Sequence, residues 1–179
     1  MAEYVWQPEW ELLESENEDM PTFEHGMICS RLNLYLGGYA LSHKLGEVVD
    51  SSVEYRFLEG KQKRPSRYPD VSFIQQERLP KNIRSYPEIA PDLAVEVASP
   101  TDRDYDIESR VKEYQKVKVK LVWVIHPYSQ TISVYRLTNG LKAQNYVGDE
   151  ELEGEDVLPG FKLKVSDIFN YPYPPEEEL

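Results

Sequence analysis

The sequence predicts an α/β domain in which helices pack on a mixed sheet, and three stretches carry that expectation. "PDLAVEVASP" (Pro91 to Pro100) and "VKLVWVI" read as buried strands, and the residues between them repeat apolar side chains at 107, 111, 114 and 117, a helical spacing. Strand, helix and strand in that order form a crossover between parallel neighbours. "TISVYRL" then alternates, Asn139-Gly140 offers a hairpin turn, and "LKAQNYV" follows, an antiparallel pair. An apolar helix precedes all of this. Parallel and antiparallel pairing in one sheet make it mixed.

The elements follow in chain order. Thr22 is placed to cap a helix running to about Leu45. Phe23, Met27, Ile28, Leu32, Leu34, Tyr35, Leu36, Tyr39 and Leu41 lie nearly all round it, which predicts a largely buried helix. Gly37-Gly38 within it predicts a close backbone approach or a kink. "GEVVDSSVEYRFL" reads as two short strands and "YPDVSFIQ" as another, before a proline-rich loop from Leu79 to Pro91. The crossover helix is expected from about Tyr105 to Val117, and a last strand near Phe161 and a short helix from Val165 to Phe169 close the domain. Three regions result: an acidic segment over 1–20, one domain over 21–170, and an acidic, proline-rich tail over 171–179.

Composition narrows the class. With 179 residues and 40% hydrophobic content the chain suits one soluble globular domain. No run approaches the roughly 18 apolar residues of a membrane span, and the acidic start is not a signal peptide, so a cytoplasmic protein without membrane association is expected. A single cysteine, Cys29, excludes an internal disulfide and a zinc site built on cysteines. The net charge of −12 argues against nucleic-acid binding by bulk electrostatics. Local basic surface persists in "KQKRPSR" (Lys61 to Arg67) and "KEYQKVKVK" (Lys112 to Lys120), where a solvated face is the plain alternative.

Glu96 is the anomaly. It interrupts an apolar strand, where a carboxylate costs several kcal/mol unless paired, hydrogen-bonded or bound to a metal. Asp92 shares its face but lies about 13 Å away along the strand, too far for one cation, and reads better as a residue tying down the strand start. Asp70, which opens its own buried strand after a proline, is the best candidate partner. Glu24, in the first turn of the N-terminal helix, is a third acid, and an ordinary helix-start glutamate is its plain alternative.

"EHG", "PDV", "PDLAVEVASPTD", "RVKEY", "LVWVIHP" and "DVLPGF" together resemble the Uma family of restriction-endonuclease-type proteins, a group placed in the PD-(D/E)XK nuclease superfamily. The resemblance runs from about Thr22 to Phe169. It implies a restriction-endonuclease-like fold, hydrolysis of DNA phosphodiester bonds, and a site for Mg²⁺ or Mn²⁺ at the positions matched by Glu24, Asp70 and Glu96. Hard oxygen donors suit such ions, which polarise phosphate and acidify a bound water. The superfamily's lysine two residues beyond the strand glutamate is Ala98 here, whose carbonyl is left to face the metal with Asp70 and Glu96. The family's alternative, a lysine on the next helix, matches Arg110 four residues before Tyr114. At about 40° from Tyr114 and 60° from Ile107, Arg110 borders the buried stripe, while Lys112 falls on the solvated side. Arginine can hold phosphate but stays protonated and cannot act as a general base. His126, where the family has Asp or Asn before proline, reads as structural.

Three readings result: a metal-dependent endonuclease, a nuclease fold that binds nucleic acid or a protein partner without cutting, and an interaction protein whose buried acids pair with Arg31 or Arg110. Cutting both strands of a duplex needs two sites, so a homo-oligomer, with a symmetric dimer favoured, is the expected assembly.

Overall fold

A computed structural model describes residues 21–56, 66–99 and 102–173, together with the backbone of 58–59 and 62–63. The acidic segment 1–20, most of the basic run at 61–65 and the tail beyond 173 lie outside these residues. Helix α1 (Phe23–His43) leads into β1 (Gly46–Asp50), the short hairpin β2 (Leu58–Glu59) and β3 (Gln62–Lys63), and β4 (Val71–Gln75). A 3₁₀ turn (Gln76–Arg78) and an irregular loop reach β5 (Leu93–Val97), then α2 (Asp104–Lys116), β6 (Leu121–His126), β7 (Thr131–Arg136) and β8 (Lys142–Val147). A second hairpin, β9 (Glu151–Glu153) and β10 (Lys162–Lys164), and helix α3 (Val165–Ile168) end the described chain.

Six strands form the main sheet in the order β1-β4-β5-β6-β7-β8. Only β5 and β6 run parallel, with α2 as their crossover; the other neighbours are antiparallel, so the sheet is mixed. Alternation gives the sheet two apolar faces. Val71, Phe73, Leu93, Val95, Leu121 and Trp123 pack with Ile28, Leu32, Leu36 and Ala40 of α1. Ile74, Ala94, Val122 and Val124 pack with Ile107, Val111 and Tyr114 of α2.

Helix α1 starts where Thr22 Oγ1 accepts the His25 amide at 3.2 Å, and ends at Lys44 in the left-handed region. It is not buried all round. The stripe at 28, 32, 36 and 40 is buried, but Phe23 is 87% exposed and Leu34 71%, because only one sheet face lies against it. Gly37 and Gly38 mark neither a break in the helix nor a close approach: a Cβ at 37 would make ordinary contact with Val48 Cβ at 3.8 Å, and one at 38 would meet nothing within 4 Å. Gly46 is demanded more strictly. Its φ is 148°, and a Cβ there would meet the Ile74 carbonyl oxygen at 2.0 Å.

Asp92 ties down the start of β5. It is fully buried, accepts the Gln75 amide at 3.0 Å, and faces Arg78 Nη1 at 2.6 Å and Lys120 Nζ at 2.8 Å. Two cations and a backbone donor offset its desolvation. No helix among the described residues is long and apolar enough to cross a membrane.

Candidate functional site

The antiparallel pairing of β4 with β5 sets Val71 against Val95 and Ser72 against Ala94. Asp70 lies one residue before β4, in a bend outside the ladder, and its charge is near enough to Glu96 to raise that carboxyl. Asp70 is held there by a 2.7 Å hydrogen bond from the Val97 amide to its Oδ2. One backbone donor at the end of β5 therefore brings Asp70 toward Glu96.

Helix α2 builds the rest. Ile107, Val111 and Tyr114 are buried on the sheet, as their spacing demands. The Tyr114 hydroxyl donates to Glu96 Oε1. Arg110 lies one helical step aside, with Nη1 3.5 Å from Glu96 Oε2 and Nη2 2.7 Å from Asp102 Oδ1. Asp102 is itself fixed by the Ser99 amide at 2.8 Å. Lys112 stays in solvent and pairs with Glu108 at 3.2 Å. Arg67, paired with Glu113, adds a further positive charge near Glu96.

Glu96 remains short of positive charge. Burial pushes its carboxyl up to about 7; the Tyr114 hydrogen bond opposes this, the charge of Asp70 adds to it, and Arg110 and Arg67 offset it only in part. Tyr114 is held well above the usual phenol range by burial and then by Glu96, so its hydroxyl stays a donor. Two neighbouring carboxylates, one of them under-neutralised, fit a hard divalent cation. Each carboxylate offers about four acceptor directions, and Asp70 and Glu96 have used only some of theirs. Ala98 continues the strand by one bond, its amide donating to the Ile125 carbonyl at 2.8 Å, and stands on the same side as Glu96.

The structure brings Asp70, Glu96 and Arg110 together. Glu24 lies beside Tyr171, whose hydroxyl is raised first by burial and then by that carboxylate. Its neighbour His25 takes the place at Asp70, with Nε2 3.3 Å from Oδ1. Arg31 does not neutralise the buried acids: its guanidinium donates to the carbonyls of Ile168 at 2.7 Å and Asn170 at 2.6 Å. His126 sits in a structural chain, 3.0 Å from Ser133 Oγ, which donates to Asn145 Oδ1 at 2.8 Å.

Sequence reasoning missed His25, Tyr114 as a hydrogen-bond donor, and Asp102. The signal for His25 stood beside Glu24 in "EHG"; one more residue is 100° further round the helix, enough to exchange the two. Tyr114 was legible only as an apolar position, because periodicity does not register its hydroxyl.

A family model described as "Uma2: Putative restriction endonuclease" matches residues 6–166. No curated protein matches the chain. Among solved structures, one described as "a putative nuclease belonging to DUF820" from Anabaena variabilis ATCC 29413 is similar in fold, with a TM-score of 0.72 at 20% identity. The match covers 84% of this chain and 83% of that one.

Proposed function

The chain belongs to the Uma2 family, and on that premise we propose that it is a metal-dependent endonuclease that hydrolyses DNA phosphodiester bonds, with Asp70 and Glu96 holding the cation. The observation that carries this reading is the approach of those carboxylates at the ends of β4 and β5, Asp70 held by the Val97 amide and its charge acting on Glu96, which burial raises to about 7. Bound Mg²⁺ or Mn²⁺ supplies charge against the phosphate oxygens and a water of lowered pKa.

The chain's own groups do the rest. The Val97 amide orients Asp70, and the Tyr114 hydroxyl orients Glu96, so neither carboxylate has to be ordered on binding. The carbonyl of Ala98 would be the third protein donor, and Glu24, beside Tyr171, is not counted among them. Arg110, anchored by Asp102, sets a fixed positive charge at the site's edge, suited to a phosphate oxygen. It stays protonated, so it takes no proton from the attacking water. The working assembly is a symmetric dimer, one site for each strand.

One observation favours binding without cleavage: Arg110 occupies the position of a catalytic lysine and bridges Asp102 and Glu96. Incubation of supercoiled plasmid with Mn²⁺ or Mg²⁺ separates the readings. Nicking or linearisation that is lost in Asp70→Asn and Glu96→Gln supports the endonuclease. A gel shift of DNA without cleavage in either metal supports the second reading. Neither cleavage nor binding defeats both.

A further inference from the structure

His25 and Cys29 are four residues apart on α1 and therefore share one face of it. Cys29 Sγ lies 3.6 Å from His25 Nδ1, and His25 Nε2 lies 3.3 Å from Asp70 Oδ1. One donor atom from each of the three residues lies within 4.8 Å of the other two. All three are half-buried, shielded from bulk water yet reachable by an ion. A tetrahedral metal with bonds of about 2.0–2.3 Å holds such donors roughly 3.3–3.8 Å apart. One ring nitrogen of His25 ligates, so binding displaces its proton and one of its two present contacts, and rotation of the Cys29 and Asp70 side chains closes the difference.

The donor chemistry differs from that of the carboxylate pair. Imidazole, thiolate and carboxylate together are borderline-soft, a set that selects Zn²⁺-like ions over Mg²⁺. We propose that His25, Cys29 and Asp70 form a three-ligand site for a borderline-soft divalent transition metal, with a fourth position open. A single cysteine excludes an all-cysteine zinc site but not this mixed one. The site shares Asp70 with the pair that serves the nuclease reading. Resting on that reading, Zn²⁺ here draws Asp70 away from Glu96 and inhibits cleavage.

Co²⁺ serves as the spectroscopic probe on the full-length chain. The wild type is expected to bind one Co²⁺ with thiolate-to-cobalt charge-transfer absorption, and Zn²⁺ is expected to abolish that band. Cys29→Ser loses the band. His25→Asn, shown to be folded by circular dichroism, binds Co²⁺ at least tenfold more weakly, and Glu96→Gln keeps the band. Alkylation of Cys29 in the unmutated protein provides a second readout, slowed at least tenfold by Zn²⁺. A wild type without the band, a His25→Asn variant with wild-type Co²⁺ affinity, or alkylation indifferent to Zn²⁺ overturns the site. Mn²⁺-dependent cleavage unaffected by saturating Zn²⁺ overturns the sharing of Asp70. An intact cobalt band in a protein that never cuts DNA retires the nuclease reading alone.

Discussion

Glu96→Gln separates a carboxylate awaiting a cation from one that stabilises the fold. The substitution keeps the shape, and the amide oxygen still accepts from Tyr114; Arg110 keeps Asp102 at 2.7 Å. What it removes is a charge in the wrong surroundings. Burial raises the folded-state pKa from 4.5 to about 7, with the attraction of Arg110 already included in that net shift. A carboxyl so raised holds more protons in the folded than in the unfolded state between those values. Stability therefore falls as pH rises through that window, and the whole deficit is present above it. At 1.36 kcal/mol per unit the deficit is about 3 kcal/mol. For a chain of this size that corresponds to roughly 6–12 °C in melting temperature.

The assay is a series of thermal melts of both proteins from pH 4 to 8 in a chelator, repeated with Mn²⁺. At pH 4 the two should coincide. At pH 8 the metal-free variant should be at least as stable as the wild type, with a gain of up to about 3 kcal/mol, and Mn²⁺ should stabilise only the wild type. A loss of about 3–5 kcal/mol in the variant at pH 8, with or without metal, would mean that Glu96 is half of a structural ion pair. That result would refute the reasoning.

Other expectations follow from neighbouring groups. Asp92→Asn should cost about 3–5 kcal/mol in urea denaturation, regardless of metal, because Arg78 and Lys120 lose their buried counter-charge. His25 is raised to about 10, first by Asp70 and then by Cys29, so its contribution is fully present below pH 6.5 and lost as pH rises through 10. Melts of His25→Asn should lack that alkaline decline, and a wild-type slope in the variant would contradict the pairing. Arg110→Lys, which supplies a titratable amine beside Glu96, should raise Mn²⁺-dependent plasmid cleavage at alkaline pH relative to Arg110→Ala. Equal rates in the two variants would show that the position contributes no proton acceptor.

The mixed sheet was legible because its strands are apolar runs bounded by turn residues and its crossover helix keeps its spacing at 107, 111 and 114. Asp70 and Glu96 stood out for the same reason: a charge in an apolar strand is visible without coordinates. Helix α1 misled because apolar residues lay all round it, and only the sheet decided that 28, 32, 36 and 40 face inward. β9 escaped notice because it is three residues long, with Leu152 buried between two exposed glutamates in an acidic run. The contact of His25 with Asp70 was not legible either. It depends on the rotation of α1 over the sheet, which brings His25 to a residue 45 positions further along the chain. Side-chain partners contributed by distant segments leave no periodic trace.

The central claim is that Asp70 and Glu96 share one cation, and anomalous diffraction from crystals grown with Mn²⁺ tests it most directly. The account predicts one peak at the end of β4 and β5, about 2.1 Å from an oxygen of each carboxylate. Arg110 should remain on Asp102. A peak bound only by Asp70 and His25, or an ordered site in which Glu96 keeps Tyr114 and Arg110 and no metal binds, would contradict it.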